Sequence, residues 1–448
     1  MKAFKAYDIR GIYNEDFNSN DVYKIGFFLP KLLNTTKILV GRDARESSPE
    51  IFKALCDGIT DSGASVLDAG LTTTPMIYWA TAKYAFDGSV MITASHNPKE
   101  YNGMKISGKD ALPVGFDSGL SDLKDMVETM PINITETKGN VKQFDFRGDY
   151  LDFQNSYLTD ISNLNLSIDL SNGMAALLIK DILGDEPHYI FDDIDCTFPN
   201  HEANPLVPEN VVDIKKAVLK NKSDLGIVFD GDADRVMFID EKGEFISPDL
   251  IIALLGHYFL EGKNTSERVI QDIRSSKAVG EYLSQFGAEM HTWRVGRAYA
   301  ALKLREIDGL FGGELAGHYY FKDFYYSDSG ILAMLIVLKV IKEKKDDGIT
   351  VSELISKISG YANSGEINFT LEKKLEAMEA VVKHFSDKQR PEKMMDFDGY
   401  RLEYKDFWFS IRPSNTEPYL RFLAEAKNSV LLNEIVAEAR SIIASYIK

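Results

Sequence analysis

KILVGRDARESSPE, residues 37–50, joins a short apolar run to a polar loop, and a helical pattern follows from about Ile51. Further apolar runs stand at residues 65–67 and 89–93, and the second of these is apolar on both faces. Short strands that alternate with helical segments are typical of a mostly parallel sheet that is covered by helices. The beginning of the chain is therefore predicted to be an α/β domain.

The same pattern recurs twice further along the chain. One unit begins with a strand at 167–170, continues with a helix after Gly173 and ends in the strand Leu225–Phe229. The next unit has a helix from Lys277. Its predicted strands are 269–273, Glu289–Trp293 and 309–311.

The end of the chain has a different pattern. A strand at 366–371 and a helix at 373–385 precede two paired strands, 399–403 and 407–411, and a further strand and helix close the chain. This order is typical of an α+β domain. Four domains are therefore expected, with limits at 1–145, 146–247, 248–365 and 366–448.

Composition narrows the class of protein. The 448 residues include 68 acidic and 51 basic side chains, a formal charge of −17, so the chain should repel nucleic acid and anionic membranes. An anionic substrate would have to meet a local basic site. The two cysteines, Cys56 and Cys196, lack CxxC spacing, which argues against a disulfide framework or a cysteine-built zinc site.

The sequence also bears on where the protein acts. The N-terminus has no apolar stretch of the kind that signal peptides contain. The longest apolar run, residues 331–341, is too short to cross a bilayer and is interrupted by Lys339, so we interpret it as a buried helix. We expect a cytoplasmic monomer or homodimer with no nucleic-acid or membrane partner.

Four segments carry residues suited to chemistry, and the first is TASHNP, residues 93–98. It follows the buried strand at 89–93 directly, and ligand sites of open parallel sheets lie beyond the carboxyl ends of strands. The Ser95 hydroxyl is a candidate nucleophile or phosphoryl carrier. A turn that Ser95 and Asn97 merely cap is the plainer alternative. A hydrolase is less consistent, because the G-x-S-x-G elbow is absent.

The second segment is DGDADR, residues 230–235, directly after the strand Leu225–Phe229. Three carboxylates at alternate positions of a loop can converge on one hard cation, and ligands that are all oxygen suit Mg²⁺. A calcium EF-hand is excluded, since Arg235 occupies the sixth position, where the sharp turn requires glycine. A solvated acidic turn is the remaining alternative.

The third segment is GGELAGH, residues 312–318, after the predicted strand at 309–311. Its glycines are expected to let the backbone approach a ligand closely. Glu314 could accept hydrogen bonds from two sugar hydroxyls, and His318 could donate to an oxygen or exchange a proton near neutral pH. The alternative is a tight turn whose histidine is bound within the protein.

The fourth segment is RPSNTEP, residues 412–418, with Arg421 following. Its hydroxyl and amide side chains, together with the N–H groups of a turn, can donate to a phosphate, and two arginines add planar donors of fixed geometry. The segment therefore fits a cradle for a phosphate monoester. A polar turn beside surface arginines is the alternative.

In this order, the four segments resemble those of the α-D-phosphohexomutase superfamily, in particular its phosphomannomutase/phosphoglucomutase branch. The match extends from YDIRG, residues 7–11, to Arg421, and it is specific because four unrelated motifs coincide. The resemblance implies three similar mixed-sheet α/β domains plus a smaller C-terminal α+β domain around a central cleft. It also implies reversible phosphoryl transfer between C1 and C6 of a hexose phosphate, mannose or glucose, through a phosphoserine and a 1,6-bisphosphate.

The resemblance assigns catalytic roles to single residues. Ser95 would carry the phosphoryl group, and Arg10 and Arg235 would contact it during transfer. Lys105, in YNGMK at residues 101–105, matches a family position proposed for proton transfer, and His318 is a second candidate. The implied ligands of Mg²⁺ are Ser95, Asp230, Asp232 and Asp234.

Substrate binding follows the same resemblance, with two departures. Glu314 and His318 would contact the sugar, but Ala316 replaces a serine of this branch, which leaves the preferred hexose open. Arg297 stands where relatives often carry histidine or another polar residue, so it would add positive charge and could not act as a general base. The substrate's own phosphate would be held by Arg412, Ser414, Asn415, Thr416 and Arg421.

Other functions fit the residues less well. A magnesium-dependent sugar phosphatase of the D-x-D-x-T/V type is not matched, because Asp234 occupies the third position of that pattern. A sugar-phosphate sensor would need neither Ser95 nor the aspartates. A phosphoglucosamine mutase stays an alternative within the superfamily, although its members often have glutamine where Leu315 stands.

Overall fold

Four β-sheets follow one another along the chain in the structure, a computed structural model that describes residues 1–263, 265–414 and 419–447. Three sheets mix parallel and antiparallel strands and carry helices, and the fourth is wholly antiparallel. This confirms the predicted class of three similar α/β domains plus a smaller C-terminal α+β domain. The exact domain limits stay a prediction. In the described ranges, none of the helices combines the length and apolarity of a membrane span.

Domain 1 contains a six-stranded sheet. Its strands are β1 Ile9–Ile12, β2 Lys37–Arg42, β3 Ser65–Leu71, β4 Gly88–Ile92, β5 Tyr101–Gly108 and β6 Val141–Gln143, and its helices are α1 Ser19–Leu33, α2 Ser48–Asp61, α3 Thr74–Lys83 and α4 Leu120–Thr129. The strand order is β1-β5-β4-β2-β3-β6. Strand β4 is buried along its whole length, and its carboxyl end leads directly into TASHNP.

Domain 2 contains a five-stranded sheet, in the order β11-β10-β9-β7-β8. Its elements are α5 Arg147–Asn155, β7 Leu166–Asp169, α6 Ile179–Leu183, β8 His188–Ile190, α7 Val212–Asn221, β9 Leu225–Phe229, β10 Val236–Asp240 and β11 Phe245–Ile246. The helix predicted after Gly173 begins as a single 3₁₀ turn, Met174–Leu177, and continues as α6. The N–H of Met174, which has no partner within that turn, donates to the carbonyl of Gly231 at 2.9 Å.

Domain 3 has the strand order β13-β12-β14-β15-β16. Its elements are α8 Pro248–Phe259, β12 Arg268–Asp272, α9 Lys277–Ser284, β13 Glu289–Trp293, α10 Arg297–Glu306, β14 Phe311–Gly313, β15 Tyr319–Phe321, β16 Ser327–Asp328, α11 Gly330–Asp346 and α12 Val351–Ile358. Helix α11 contains the apolar run 331–341 and is buried there at every residue except Lys339, which confirms that prediction.

Domain 4 packs two helices on its antiparallel sheet. Its elements are β17 Ala362–Asn363, β18 Ile367–Thr370, α13 Lys374–Lys388, β19 Lys393–Met395, β20 Tyr400–Glu403, β21 Phe407–Pro413, β22 Tyr419–Ala426 and α14 Ser429–Ala444. Strand β22 is central, because it pairs with β21 and with both β17 and β18. The apolar core of this domain is its own, whereas one continuous core includes side chains of domains 1, 2 and 3.

Candidate active site

Ser95 lies where domain 1 meets domain 2. Its side chain is 2% exposed, and its hydroxyl donates to Oδ2 of Asp230 at 2.9 Å. Its φ of 52° is in the left-handed region, which non-glycine residues rarely adopt outside functional loops. The loop thus holds the hydroxyl at the carboxyl end of β4 against the acidic loop that follows β9. The structure therefore brings together the first two predicted segments.

Arg45 holds the TASHNP loop in this shape, and sequence reasoning missed it. Its Nη2 donates to the carbonyls of Ser95 at 2.8 Å and Asn97 at 2.7 Å, and its Nη1 to that of Pro98 at 2.7 Å. Its Nε donates to Asp43 at 3.1 Å, which supplies the countercharge that a buried guanidinium requires. The pair of Asp43 and Arg45 belongs to the segment GRDARE, residues 41–46, which was the only sequence signal for it.

The three aspartates of DGDADR converge as expected. Asp230, Asp232 and Asp234 are fully buried, and one carboxylate oxygen from each lies within 4.8 Å of the others. Burial, with the charges of Asp234 and Asp232, raises the pKa of Asp230 well above its ordinary value. Oδ1 of Asp232 and Oδ1 of Asp234 are buried without a hydrogen-bond partner. An all-oxygen donor set with unused buried oxygens fits a hard cation such as Mg²⁺.

Lys105 contacts two of these carboxylates. Its Nζ donates to Oδ2 of Asp232 at 2.6 Å and to Oδ2 of Asp234 at 2.5 Å. Burial alone would lower the pKa of Lys105, but the two carboxylates outweigh burial and raise it, so the amine is fully charged. Thr74, which the sequence did not single out, starts α3 and also donates to Oδ2 of Asp232.

Arg10 lies beside the same cluster because of strand pairing. In the antiparallel pair of β1 and β5, Arg10 is opposite Gly103, and Lys105 is two residues further along β5. Nη1 of Arg10 donates to Oδ1 of Asn97 at 2.8 Å, and its Nη2 pairs with Asp8. Burial lowers the pKa of Arg10, but Asp8 and Asp232 reverse the direction and raise it.

Arg235 and His318 connect domain 2 to domain 3. Nε of Arg235 donates to Nε2 of His318 at 2.9 Å, and the same Nε is 3.8 Å from carboxylate oxygens of Asp230 and Asp234. On its other side, Nδ1 of His318 is 2.6 Å from Oδ2 of Asp328. Both ring nitrogens are therefore bound within the protein, and the ring could not exchange a proton with a ligand unless Arg235 moved away.

The segment GGELAGH differs from its predicted form. Gly312 and Gly313 belong to β14, and a Cβ on Gly312 would lie 2.1 Å from Cγ2 of Ile270. These two glycines admit a neighbouring strand, so the prediction that they let the backbone approach a ligand is wrong. Ala316 is half-buried in the turn before His318.

Glu314 is buried, and its carboxylate is already hydrogen-bonded within the protein. It is 2% exposed, and its two oxygens accept from the N–H of Gly296 at 2.6 Å and from the hydroxyl of Tyr320 at 2.7 Å. Each carboxylate oxygen has a second acceptor position. A sugar hydroxyl would thus join hydrogen bonds that already orient the carboxylate.

Arg297 is engaged across a domain boundary. Its Nε donates to Oδ1 of Asp328 at 3.0 Å, and its guanidinium stacks 3.5 Å from the ring centre of Tyr78 in domain 1. Burial lowers the pKa of Arg297, but the combined effect of Tyr78 and Asp328 raises it. The arginine therefore remains a cation and, as predicted, cannot act as a base.

The two arginines of the fourth segment lie side by side. Arg412 on β21 is paired with Arg421 on β22, so both side chains project from one face of the sheet. Like charges at this spacing repel, and each arginine has a carboxylate partner, Asp398 at 3.1 Å and Glu366 at 3.0 Å. Ser414 is buried beside them. Asn415 and Thr416 lie outside the described residues.

Domain 3 adds a cation that the sequence had not indicated. Arg274 follows β12, and Asp272 accepts from its Nη2 at 2.8 Å and from its Nε at 3.2 Å. Asp272 also accepts from the N–H of Leu315 at 2.8 Å, which ties Arg274 to the GGELAGH turn. Burial and the charge of Arg274 lower the pKa of Arg412, which belongs to domain 4.

Not every cavity belongs to this site. A cavity of about 540 Å³ in domain 1 is lined by Phe27, Lys31, Met130 and neighbouring residues, and it contains none of the site residues.

Fold and site together define a class of protein. A buried serine at a strand end, an aspartate trio suited to a hard cation, and paired arginines in a separate domain are the parts that phosphoryl transfer on a small phosphorylated substrate requires. Four family models match the chain one after another. They describe the three α/β/α domains and the C-terminal domain of phosphoglucomutase/phosphomannomutase, at residues 1–127, 149–243, 247–361 and 366–442.

Similar proteins agree over the full length. A phosphomannomutase of Methanocaldococcus jannaschii is 35% identical, with 99% of this chain and 98% of that protein covered. A phosphomannomutase of Escherichia coli K12 is 36% identical, with 97% of each covered. A crystal structure of a phosphoglucomutase/phosphomannomutase family protein from Burkholderia thailandensis matches with a TM-score of 0.87 and 26% identity, covering 99% of this chain and 97% of that one. The chain belongs to the phosphoglucomutase/phosphomannomutase family, as the sequence predicted.

Proposed function

We propose that this phosphohexomutase transfers a phosphoryl group reversibly between C1 and C6 of mannose phosphate, and also of glucose phosphate. The observation that carries the proposal is the 2.9 Å hydrogen bond between Ser95 and Asp230, a contact between the candidate phosphoryl carrier and one carboxylate of the aspartate trio. The names of the relatives favour mannose. Phosphoglucosamine mutase and sugar phosphatase activities are not favoured by these relatives.

Ser95 would carry the phosphoryl group between the two ends of the sugar. The P–O bond to Ser95 Oγ breaks as a sugar hydroxyl forms a new P–O bond, which yields a hexose 1,6-bisphosphate. The hydroxyl proton passes to a base, and Ser95 Oγ regains a proton. The intermediate then reorients, and its other phosphoryl group returns to Ser95, so phosphate is conserved.

Lys105 and His318 are the two candidates for moving that proton. The geometry favours Lys105, whose Nζ lies within the carboxylate cluster that contacts Ser95. Because the amine is charged, it would first give a proton to Ser95 Oγ and could then take the hydroxyl proton, whereas the two nitrogens of His318 face Arg235 and Asp328. Arg10 and Arg235 would neutralise the transferring group, since each lies beside the cluster without belonging to the aspartate trio.

The aspartate trio would hold Mg²⁺ together with a phosphoryl oxygen on Ser95. Such a cation supplies Lewis-acid stabilisation of negative charge on the transferring group. The chain's own part is to provide three buried oxygen ligands at fixed positions and to exclude water from them.

The substrate's own phosphate would bind in domain 4. Arg412 and Arg421 offer parallel donors from adjacent strands, and Ser414, Asn415 and Thr416 complete the cradle. Glu314, Ala316, His318 and Arg297 would form the sugar side of the cleft. A single phosphate cradle serves both orientations of the sugar, since only the non-transferred phosphate occupies it. A cytoplasmic monomer or homodimer stays the expectation from sequence.

Purified protein, Mg²⁺ and α-mannose 1-phosphate test the proposal directly. We expect mannose 6-phosphate to form without release of inorganic phosphate, after priming with a hexose 1,6-bisphosphate. Parallel assays with glucose and glucosamine 1-phosphates rank the substrates. Release of inorganic phosphate at the rate of substrate loss would identify a phosphatase instead.

A further inference from the structure

We infer that Asp328 is a positioning residue, which fixes the tautomer of His318 and through it the orientation of Arg235. The inference rests on the proposed function, in which Arg235 contacts the transferring phosphoryl group. Asp328 ends β16 and is fully buried. Its two oxygens accept from two different elements, Oδ2 from His318 Nδ1 at 2.6 Å and Oδ1 from Arg297 Nε at 3.0 Å.

The tautomer of His318 follows from the groups around its ring, which are Arg235 at Nε2 and, at Nδ1, Asp328 with Asp234 further away at 3.8 Å. An arginine Nε always carries a hydrogen, so Nε2 of His318, at 2.9 Å from Nε of Arg235, has to be the acceptor. The ring proton is then on Nδ1, where Asp328 accepts it. Without the Asp328 carboxylate, both neutral tautomers of His318 would be populated. In the tautomer protonated at Nε2, that N–H would point at the Nε–H of Arg235, and the hydrogen bond between the two side chains would be lost.

The consequence falls on Arg235. His318 holds its Nε and so leaves the four Nη hydrogens for phosphoryl oxygens. Backbone pairing supports the contact, because Arg235 and His318 also form an isolated antiparallel β-bridge between domains 2 and 3. A ring with the other tautomer would lose its hydrogen bond to the guanidinium, since the bridge keeps the two main chains side by side.

Arg297 completes the arrangement. It balances the second oxygen of Asp328, and its stack on Tyr78 anchors the group to domain 1. Asp328 directly contacts His318 and Arg297, which both belong to domain 3. Through them it is connected to Arg235 of domain 2 and Tyr78 of domain 1. The Asp328 carboxylate is suited to orienting His318 and Arg297, because each of its oxygens accepts a hydrogen bond from one of them.

The ring tautomer is measured on the unaltered protein by ¹⁵N–¹H correlation of its histidines, with His318→Gln identifying the signals of His318. We expect Nδ1 to be the protonated nitrogen. A ring protonated at Nε2 alone, or at both nitrogens, at neutral pH would overturn the inference. This measurement does not depend on turnover, so it tests the tautomer of His318 even if the proposed activity is absent.

Kinetics provide the second arm. Asp328→Asn should lower kcat about 10–100-fold with little change in KM, the usual size of such an effect for carboxylates that orient a functional histidine. In His318→Gln the amide oxygen can accept from Arg235, and no ring tautomer is involved. Adding Asp328→Asn to that variant should therefore lower kcat by less than about threefold. Equal losses in both backgrounds, or an unchanged kcat in the single variant, would contradict the role.

Asp68→Asn is the matched control. Asp68 is also buried and also accepts from an arginine, Arg42 Nη1 at 2.8 Å, but it contacts none of the site residues. We expect it to lower the melting temperature to a similar extent and to leave kcat unchanged. A fall in kcat in this control as large as that of Asp328→Asn would assign the effect to lost stability and overturn the inference.

Discussion

Domains 1 to 3 and domain 4 are joined in different ways. Buried apolar side chains such as Trp79 of domain 1, Ile168 of domain 2 and Leu335 of domain 3 belong to one continuous core. The junction of domain 4 includes polar contacts instead, in which Nη1 of Arg401 donates to the carbonyls of Ile273 at 3.0 Å and Ser275 at 2.5 Å, among others.

The difference matches the two tasks that the proposed function gives to the site. In that function, Ser95, the aspartate trio and Arg235 act at fixed distances, and a shared apolar core resists displacement because interiors are close-packed. The substrate's own phosphate would bind in domain 4, and polar contacts such as those at this junction can be exchanged for water if that domain moves. Variants of Ser95, the aspartate trio and Arg235 should therefore change kcat, whereas variants of the cradle should change KM.

Ser95→Ala should have the largest effect. Loss of the phosphoryl carrier should lower kcat by more than about 10³-fold, while substrate still binds, because the cradle is in another domain. The measurements are mutase turnover and substrate affinity by calorimetry. Ser107→Ala, at a buried serine on β5 whose hydroxyl has no hydrogen-bond partner, is the control and should retain full kcat. A Ser95→Ala variant with substantial turnover would refute the carrier role.

Asp232→Ala should come next, with a fall in kcat of about 10²–10³-fold and loss of Mg²⁺-dependence. Removal of one ligand leaves Lys105 with one carboxylate partner and the cation with an incomplete site. Titration of Mg²⁺ against turnover measures both effects. Asp240→Asn, a buried aspartate at the end of β10 that accepts from Lys242 and Glu244 N–H groups, is the control in the same domain. An unchanged Mg²⁺ requirement in Asp232→Ala would contradict the ligand assignment.

Arg412→Ala tests the other side of the comparison. Loss of charged hydrogen bonds to phosphate costs about 1.5–3 kcal/mol, so KM should rise roughly 10–150-fold with a smaller change in kcat. Arg390→Ala, on the exposed surface of the same domain, should change neither constant. A variant that loses kcat while KM stays constant would show that the cradle and the catalytic cluster are not separable.

Glu425→Gln, at the polar junction between domains 3 and 4, should have the smallest effect on activity. Glu425 accepts from Ser276 Oγ of domain 3 at 2.6 Å and from Trp408 Nε1 at 2.7 Å, and burial together with Asp249 raises its pKa. An amide would weaken this contact, so hydrogen exchange of domain 4 should speed up and kcat/KM should change by less than about tenfold. Unchanged exchange would indicate that the junction does not depend on this residue.

Much of the fold could be predicted because apolar runs are local signals. The strands Leu225–Phe229 and Glu289–Trp293 have the predicted bounds. The error arose where tertiary contacts override local pattern: Gly312 and Gly313 belong to β14, and a side chain would collide with Ile270 at the first glycine and with Ile252 and Tyr319 at the second.

The sequence by itself determined which residue types follow which strand ends, and hence the serine and the aspartate trio, because strand ends in α/β domains place side chains at one edge. Only the tertiary structure decided their partners. Ser95 and Asp230 are 135 residues apart, and Arg45 binds carbonyls 50 to 56 residues away. The proton position on His318 is likewise set by Arg235 and Asp328, which meet only when domains 2 and 3 pack together. Buried polar groups need specific hydrogen-bond partners, and those partners depend on how the domains fit together.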